Sequence, residues 1–202
     1  GLNKALFILT GAAPVPQRLL LWFKRLGIQI QEAYGLSEDF NVCAISPKED
    51  IRFGTVGKIM LNQDVKIEPE TNEVLQRSNW LMKGYYKDPE LTAKIIKDGY
   101  LCTGDTGEII DGNYLKITGR IKDIFKTNKG EYISPLETEE YFKSFKEIDQ
   151  VCMMGSQYPQ PFLVVVLSGY GKKHGKEKIK THLEKALIYC NQNKVGYNII
   201  KK

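Results

Sequence analysis

The N-terminal part of the sequence follows the order strand, turn, helix, strand. Residues 5–10 are a short apolar run that ends at Gly11, and residues 28–34 are a second such run after Gly27. Between the runs, two prolines suit a helix start, and apolar side chains then recur at helical spacing. These side chains are Val15, Leu19, Trp22, Phe23 and Leu26. The order predicts a βαβ-like unit of a parallel α/β sheet, with ligand-binding loops at the carboxyl ends of both strands.

The pattern changes after residue 51 to short strands separated by Gly, Asn, Asp and Pro. The clearest of them are residues 64–68, 73–77 and 114–118. Asp111, Gly112 and Asn113 supply a hairpin turn before the last strand. We therefore expect residues 51–121 to form a small antiparallel β barrel or sheet.

A third pattern, typical of an α+β unit, begins at residue 122. It comprises a hairpin around residues 127–130, a helix over 135–145, strands at 150–154 and 162–167, and a final amphipathic helix. The helix presents Ile179, Leu183, Ala186, Leu187 and Cys190 on one face. We place a domain boundary near 121–122, which leaves residues 1–121 (1–50 and 51–121) in one domain and 122–202 in a smaller one.

Four short motifs of chemical interest occur in a fixed order along the chain. They are Gly11-Ala12-Ala13-Pro14, Tyr34-Gly35-Leu36-Ser37-Glu38, Thr103-Gly104-Asp105 and Gly119-Arg120-Ile121-Lys122-Asp123. Small residues can line a flat base, and a hydroxyl beside a carboxylate can hold a phosphate and its metal ion. A further carboxylate can accept hydrogen bonds from a ribose diol. Each motif alone arises often by chance, so the prediction depends on the four together.

This ordered set resembles the adenylate-forming superfamily of acyl-CoA synthetases, luciferases and peptide-synthetase adenylation domains. Residues 82–93 and 115–127 are most similar to long-chain fatty-acid–CoA ligases, and the resemblance fades after about Gly169. It implies the C-terminal half of a large AMP-binding domain, followed by most of a small mobile α+β domain.

The resemblance also implies roles for the first two motifs. Gly11, Ala12 and Ala13 would line the adenine and the acyl pocket, and Tyr34 and Gly35 would contact the nucleotide, with the Tyr34 ring against the base. Ser37 would donate to the α-phosphate, and Glu38 would bind Mg²⁺. The structural alternatives are a strand-to-helix turn that needs small residues and a solvated Ser-Glu turn.

The last two motifs would complete the nucleotide site and join the two domains. Asp105 would hold both ribose hydroxyls, with Arg120 closing the site and Ile117 packing nearby. Lys122 would be the hinge, and Lys126 would enter the site only in a second, thioester-forming arrangement. The alternatives are a turn aspartate, an ion-paired arginine and two surface lysines.

The activity implied is activation of a medium- or long-chain fatty acid by ATP and Mg²⁺ to acyl-AMP, followed by transfer to CoA. A fatty acyl-AMP ligase or an amino-acid adenylating domain, both using a carrier protein, is the alternative within the superfamily. A module that binds an adenine nucleotide without chemistry is the alternative from another class. The family's phosphate-binding loop should lie before Gly1 and its adenylation lysine after Lys202, so the chain reads as a catalytically inactive fragment.

Composition and charge indicate which partners and which cellular compartment to expect. The net charge is +5, and the lysine-rich C-terminal region has no interleaved aromatics or groove-sized helix motif, which argues against a nucleic-acid partner. A solvated basic surface is the simpler interpretation, and contact with CoA phosphates or the headgroups of a membrane surface is the weaker one. The four cysteines form no CxxC pair, which favours reduced, buried thiols in a cytoplasmic protein. The oligomeric state is left open.

Overall fold

The computed structural model describes residues 4–40, 42–192 and 199–201. The chain divides into two compact units, Gly1–Ile121 and Lys122–Lys202. Residues 196–202, after which the adenylation lysine is expected, fall largely outside the described residues.

The first unit begins with the predicted βαβ arrangement. Strand β1 (Leu9–Thr10) leads through helix α1 (Gln17–Arg25) to strand β2 (Gln31–Tyr34), and β1 and β2 pair in parallel. The helix starts directly after Pro16, whose fixed φ suits the entry to a helix. It buries Leu20, whereas Leu19, Trp22 and Leu26, from the predicted apolar face, are each about half exposed.

The remaining strands of this unit continue the same sheet. They are β3 (Ala44–Ile45), β4 (Gly57–Ile59), β5 (Gln63–Ile67), β6 (Glu73–Ser78), β7 (Ile96–Lys97), β8 (Tyr100–Ile110) and β9 (Tyr114–Arg120), with helix α2 (Pro89–Ile95) before β7. The order across the sheet is β1-β2-β3-β4-β9-β8-β6-β5, with β7 on β8. A small core of Cys43, Ala44, Val74 and Leu115 forms against it.

The predicted β barrel is wrong, because the antiparallel strands form an open sheet. Strand β3 pairs with β2 on one side and β4 on the other, so the antiparallel part extends the parallel pair. Both edges of β4 are occupied, by β3 and by β9, and β5 ends the sheet with β6 as its partner. Among the described residues β5 pairs only with β6, so the sheet does not close into a barrel. The predicted hairpin turn is present: Asp111 and Gly112 both have positive φ between β8 and β9.

The second unit has the predicted α+β composition. Its elements are β10 (Phe125–Lys126), β11 (Tyr132–Ile133), α3 (Leu136–Lys143), β12 (Ile148–Met154), β13 (Phe162–Leu167), α4 (Gly169–Lys173) and α5 (Lys176–Asn191). Strands β10 and β11 form one hairpin, and β12 and β13 form another. Phe142, Ile148, Val151 and Ala186 form the core, so the apolar face predicted for the last helix packs inward. The short helix α4, which the sequence pattern did not predict, is capped by the Ser168 hydroxyl.

Two sequence expectations concern the chain as a whole. All four cysteines are free, but only Cys43 is fully buried and Cys152 is exposed, so the expectation of buried thiols holds for one of them. Among the described residues, no helix combines the length and the apolar character needed to cross a membrane.

Candidate functional site

Asp105 lies on an irregular stretch of β8. Cys102 pairs with Leu75 and Thr106 pairs with Glu73, so that the β8 segment between these pairs contains two more residues than the β6 segment. Gly104 sits in this bulge with φ +73°, a left-handed conformation that glycine adopts without a steric penalty. Bulges of this kind redirect side chains away from the regular alternation of a strand. The glycine of the third motif therefore sets the direction of the aspartate beside it.

Two neighbouring side chains hold the Asp105 carboxylate. The Tyr34 hydroxyl donates to Oδ2 at 2.8 Å, and the Arg120 Nε lies 3.0 Å from Oδ1. Asp105 is 5% exposed, whereas the Arg120 side chain is 68% exposed, so the arginine covers the carboxylate from the solvent side. Each carboxylate oxygen has two lone pairs, so one acceptor position on each remains for a ligand hydroxyl.

The Tyr34 hydroxyl is a permanent donor in this arrangement. Burial, followed by the charge of the neighbouring Asp105, raises the pKa of Tyr34 well above its usual value. The phenol therefore stays protonated at physiological pH and cannot repel the carboxylate. Tyr34 also packs against the core around Leu115, which fixes the ring at the end of β2.

The bulge itself is supported by two side chains that sequence reasoning did not assign. The Gly104 amide donates to Glu73 Oε1 at 2.8 Å. The Thr103 hydroxyl donates to the Val74 carbonyl at 2.7 Å and accepts from the Asp105 amide at 3.1 Å. Glu73 follows Asn72, which has φ +57°, and asparagine tolerates this conformation better than most residues. In the sequence, the signal for this support was an acidic residue, Glu73, directly after the turn residue Asn72.

The first two motifs lie side by side at the carboxyl ends of β1 and β2. A Cβ added at Gly11 would lie 3.0 Å from the Ala33 carbonyl oxygen, so a side chain here would crowd the residue before Tyr34. Ala12 has φ +65°, and Gly11, Ala12 and Ala13 are all exposed. These small residues leave an open surface next to the Tyr34 loop, while Gly35 is half-buried.

Ser37 and Glu38 open a one-turn 3₁₀ helix, Ser37–Asp39, directly after β2. Ser37 is exposed and Glu38 is half-buried. The Tyr85 hydroxyl donates to Glu38 Oε1 at 2.6 Å. Glu38 Oε2 has no recorded partner in the part of the chain that the structure describes. The described residues contain no cluster of three or more His, Cys, Asp or Glu side chains suited to a metal, so a cation at Glu38 would need ligands from elsewhere.

Three predicted site residues remain, Ile117, Lys122 and Lys126. Ile117 packs against the core that contains Leu115. Lys122 is exposed, in the one-turn helix Ile121–Asp123 at the boundary of the two units. Lys126 belongs to the second unit, is exposed on β10, and places Nζ 5.1 Å from the centroid of the Tyr132 ring. Tyr34, Asp105 and Arg120 are thus in direct contact within the first unit, whereas Lys126 has its contacts within the second.

Comparisons with known proteins identify the family of this chain. Residues 2–86 match the family model described as AMP-binding enzyme. Long-chain-fatty-acid–CoA ligase 5 of Mus musculus is 35% identical over 177 residues, which cover 82% of this chain and 26% of the relative. Long-chain-fatty-acid–CoA ligase FadD15 of Mycobacterium bovis is 33% identical over 150 residues, covering 74% of this chain and 25% of the relative. The chain thus spans about a quarter of the length of these curated relatives.

Solved structures show the same fold. The o-succinylbenzoate CoA synthetase of Bacillus subtilis, in complex with an acyl-adenylate intermediate, superimposes with a TM-score of 0.78 at 23% identity, over 96% of this chain and 41% of that one. A fatty acyl CoA synthetase of Mycobacterium tuberculosis gives a TM-score of 0.58 at 25% identity, over 97% of this chain and 40% of that one. The family-model match and the curated relatives show that the chain belongs to the AMP-binding family of adenylate-forming enzymes.

Proposed function

We propose that the complete protein carrying this chain activates a fatty acid with ATP to an acyl-adenylate and transfers the acyl group to CoA, releasing AMP and pyrophosphate. A carboxylic acid does not condense with a thiol in water without such activation. The observation that carries the proposal is Asp105, a buried carboxylate held between Tyr34 and Arg120 with acceptor positions left over. A ribose diol is a ligand that such a carboxylate suits.

In this proposal the first unit binds the nucleotide. Asp105 accepts hydrogen bonds from the ribose hydroxyls, and Arg120 closes the site over them. The small side chains at Gly11, Ala12 and Ala13 leave room for the planar base beside the Tyr34 loop. The exposed Ser37 hydroxyl donates to the α-phosphate, which gains negative charge as the fatty-acid carboxylate attacks.

Glu38 suits a magnesium ion shared with the nucleotide. One carboxylate oxygen is held by Tyr85, and the described residues place no cluster of further acids around the other. Mg²⁺ in such sites commonly takes one or two protein carboxylates, with phosphate oxygens and water filling the remaining positions. When bound there, the ion would neutralise charge on the phosphates. Ser37 and Glu38 then orient the nucleotide between them.

The second unit supplies the thioester step in our proposal. Lys122, exposed at the boundary, acts as the hinge residue, because a change of backbone angles there reorients everything that follows. Lys126 lies on the first strand after the hinge and contributes its charge only in the second arrangement. Its exposed position leaves it available for such a change of surroundings.

The fatty acid is the finer part of the proposal. Two relatives at 33% and 35% identity are named long-chain-fatty-acid–CoA ligases, which supports a long acyl chain. Structural neighbours at lower identity include ligases of aryl acids, such as an anthranilate CoA ligase with a TM-score of 0.78 at 20% identity. That likeness concerns the fold alone and gives no preference for aryl substrates.

The test is ATP- and CoA-dependent thioester formation by the complete protein, followed by mass spectrometry. We expect acyl-CoA from medium- or long-chain fatty acids and none from anthranilate or o-succinylbenzoate. Acylation of an added carrier protein in place of free CoA would instead favour an acyl-AMP ligase. AMP binding without any acyl-adenylate, whatever the acid supplied, would contradict the proposal and leave a nucleotide-binding module.

A further inference from the structure

The segment of residues 78–85, which begins at the last residue of β6, contacts the Ser37–Asp39 turn at three points. The Ser78 hydroxyl donates to Asp39 Oδ1, and the Met82 amide donates to the Glu38 carbonyl oxygen at 2.8 Å. The third contact is the hydrogen bond from the Tyr85 hydroxyl to Glu38 Oε1 at 2.6 Å. The turn that carries Glu38 is therefore fixed through its backbone, its neighbour and its own carboxylate.

Tyr85 is itself firmly placed. Its amide donates to the Thr92 hydroxyl at 2.9 Å, and that hydroxyl donates in turn to the Asp88 carbonyl at 2.8 Å. The Asp88 side chain caps helix α2 by accepting from the Leu91 amide at 2.9 Å. A Cβ added at the preceding residue, Gly84, would clash with Thr92 at 2.8 Å, so only glycine allows the loop to lie this close to the helix. The backbone of Tyr85 is thus tied to the first turn of helix α2.

From this geometry we propose that Tyr85 is a positioning residue for the Glu38 carboxylate: it holds Oε1, so that Oε2 would be the atom that binds a metal ion shared with the nucleotide. The inference rests on the proposed function, because it takes Glu38 as the metal ligand. It assigns a physical role to the run of residues 82–93, in which sequence similarity alone identified no functional side chain. Hydrogen-bond partners of this kind orient metal ligands, and their loss commonly weakens metal affinity about 10- to 100-fold.

Two substitutions distinguish a role of Tyr85 in positioning Glu38 from a role in the stability of the fold. Tyr85→Phe removes the hydroxyl alone. It keeps the half-buried ring and the hydrogen bond from the backbone amide to the Thr92 hydroxyl. The adjacent Tyr86 is 88% exposed, so Tyr86→Phe is a matched control that removes the same atom one residue away. Asp39 is 1% exposed, so the turn on which Glu38 sits stays anchored in both variants.

The experiment is a titration of Mn²⁺, followed by electron paramagnetic resonance, into the complete protein with a non-hydrolysable ATP analogue. We expect Tyr85→Phe to raise the Mn²⁺ dissociation constant about tenfold and Tyr86→Phe to leave it unchanged. AMP affinity without metal and the melting temperature should stay within error in both. Such a split between metal affinity and metal-free nucleotide affinity would not come from a merely structural role.

Glu38→Gln distinguishes failure of this inference from failure of the proposed function. If Glu38→Gln weakens Mn²⁺ binding while Tyr85→Phe leaves it unchanged, the positioning role is overturned and the function stands. If Glu38→Gln has no effect, Glu38 is not the metal ligand, and the positioning role falls together with that part of the proposed function. Should Tyr85→Phe fold poorly, Thr92→Val removes the hydroxyl that accepts from the Tyr85 amide, and should also raise the constant because Tyr85 is then no longer held at the start of α2. An unchanged constant in folded Thr92→Val would then overturn the inference.

Discussion

Asp105 combines properties that rarely occur together on one side chain. It is 5% exposed, yet its only cationic neighbour in the described structure, Arg120, is largely solvent-exposed. Its other partner is a tyrosine whose raised pKa keeps the proton in place. A buried carboxylate without such partners would carry a large desolvation cost. The contacts with Arg120 and Tyr34 explain how Asp105 can stay charged and buried before a ligand with two hydroxyl groups binds.

Tyr85 illustrates what sequence patterns could not supply. The Glu38 motif was predicted from its neighbours along the chain, but its hydrogen-bond partner lies 47 residues away. No periodicity or turn rule relates positions so far apart, because their contact depends on how β6 and α2 are placed in the fold. The same holds for Tyr34 and Asp105, which are 71 residues apart. The sequence indicated the chemical groups, and the fold determined which of them meet.

Cys43 and Cys152 should differ sharply in reactivity. Burial raises the pKa of Cys43 to about 12, so only about one molecule in 10⁴ carries the thiolate at pH 8. Cys152 is exposed on β12. We expect iodoacetamide at pH 8 to modify Cys152 within minutes and Cys43 only after unfolding, as read by peptide mass spectrometry. Rapid modification of Cys43 in the folded protein would contradict the core that it forms with Leu115.

Strand β8 shows how one local irregularity serves a site. The sequence identified Gly104 as part of the third motif but did not predict the bulge, because a bulge is defined by the register with β6. Glu73 and Thr103 then tie the bulge to that neighbour. The predicted barrel failed for a related reason: strand pattern alone does not specify which edges pair, and here β3 joins the antiparallel strands to β2.

The bulge gives a prediction with an internal control. Gly104 and Gly112 have φ of +73° and +76°, and neither has an atom within 4 Å of an added Cβ. Alanine at either position should therefore cost about 1 kcal/mol of unfolding free energy, from backbone strain. Only Gly104→Ala should also weaken AMP binding, by about tenfold, because it moves the backbone that directs Asp105.

For the two variants, chemical denaturation measures the free energy of unfolding, and calorimetry measures the affinity for AMP. Equal loss of AMP affinity in Gly104→Ala and Gly112→Ala would show that general destabilisation, not the direction of Asp105, controls binding. An unchanged affinity in Gly104→Ala would mean that the bulge has no part in the site.

The division of the chain into two units matters most for the proposed two-step reaction. Sequence patterns indicated a change of character at residue 122, and the structure contains compact units on either side of it. Each unit has its own hydrophobic core, around Leu115 in the first and Phe142 in the second. Separate cores are what a rearrangement about a hinge requires, since neither unit must unfold for the other to move.

Lys126 provides the kinetic test of that rearrangement. We expect Lys126→Ala in the complete protein to slow acyl-CoA formation at least tenfold while pyrophosphate release in a single turnover stays near its original rate. Lys129→Ala, in the turn of the same hairpin, removes an equal charge and should change neither step. An equal loss in both half-reactions for Lys126→Ala would argue against a role confined to the thioester step.

The most direct measurement concerns the ribose. The affinities of AMP and 2′-deoxy-AMP are compared by calorimetry for the complete protein and for Asp105→Ala. If Asp105 accepts hydrogen bonds from the ribose, loss of the 2′-hydroxyl should weaken binding about tenfold or more in the original protein. The two ligands should then bind equally in Asp105→Ala. An equal preference for AMP in both proteins would show that Asp105 does not hold the ribose, and the nucleotide site described here would be wrong.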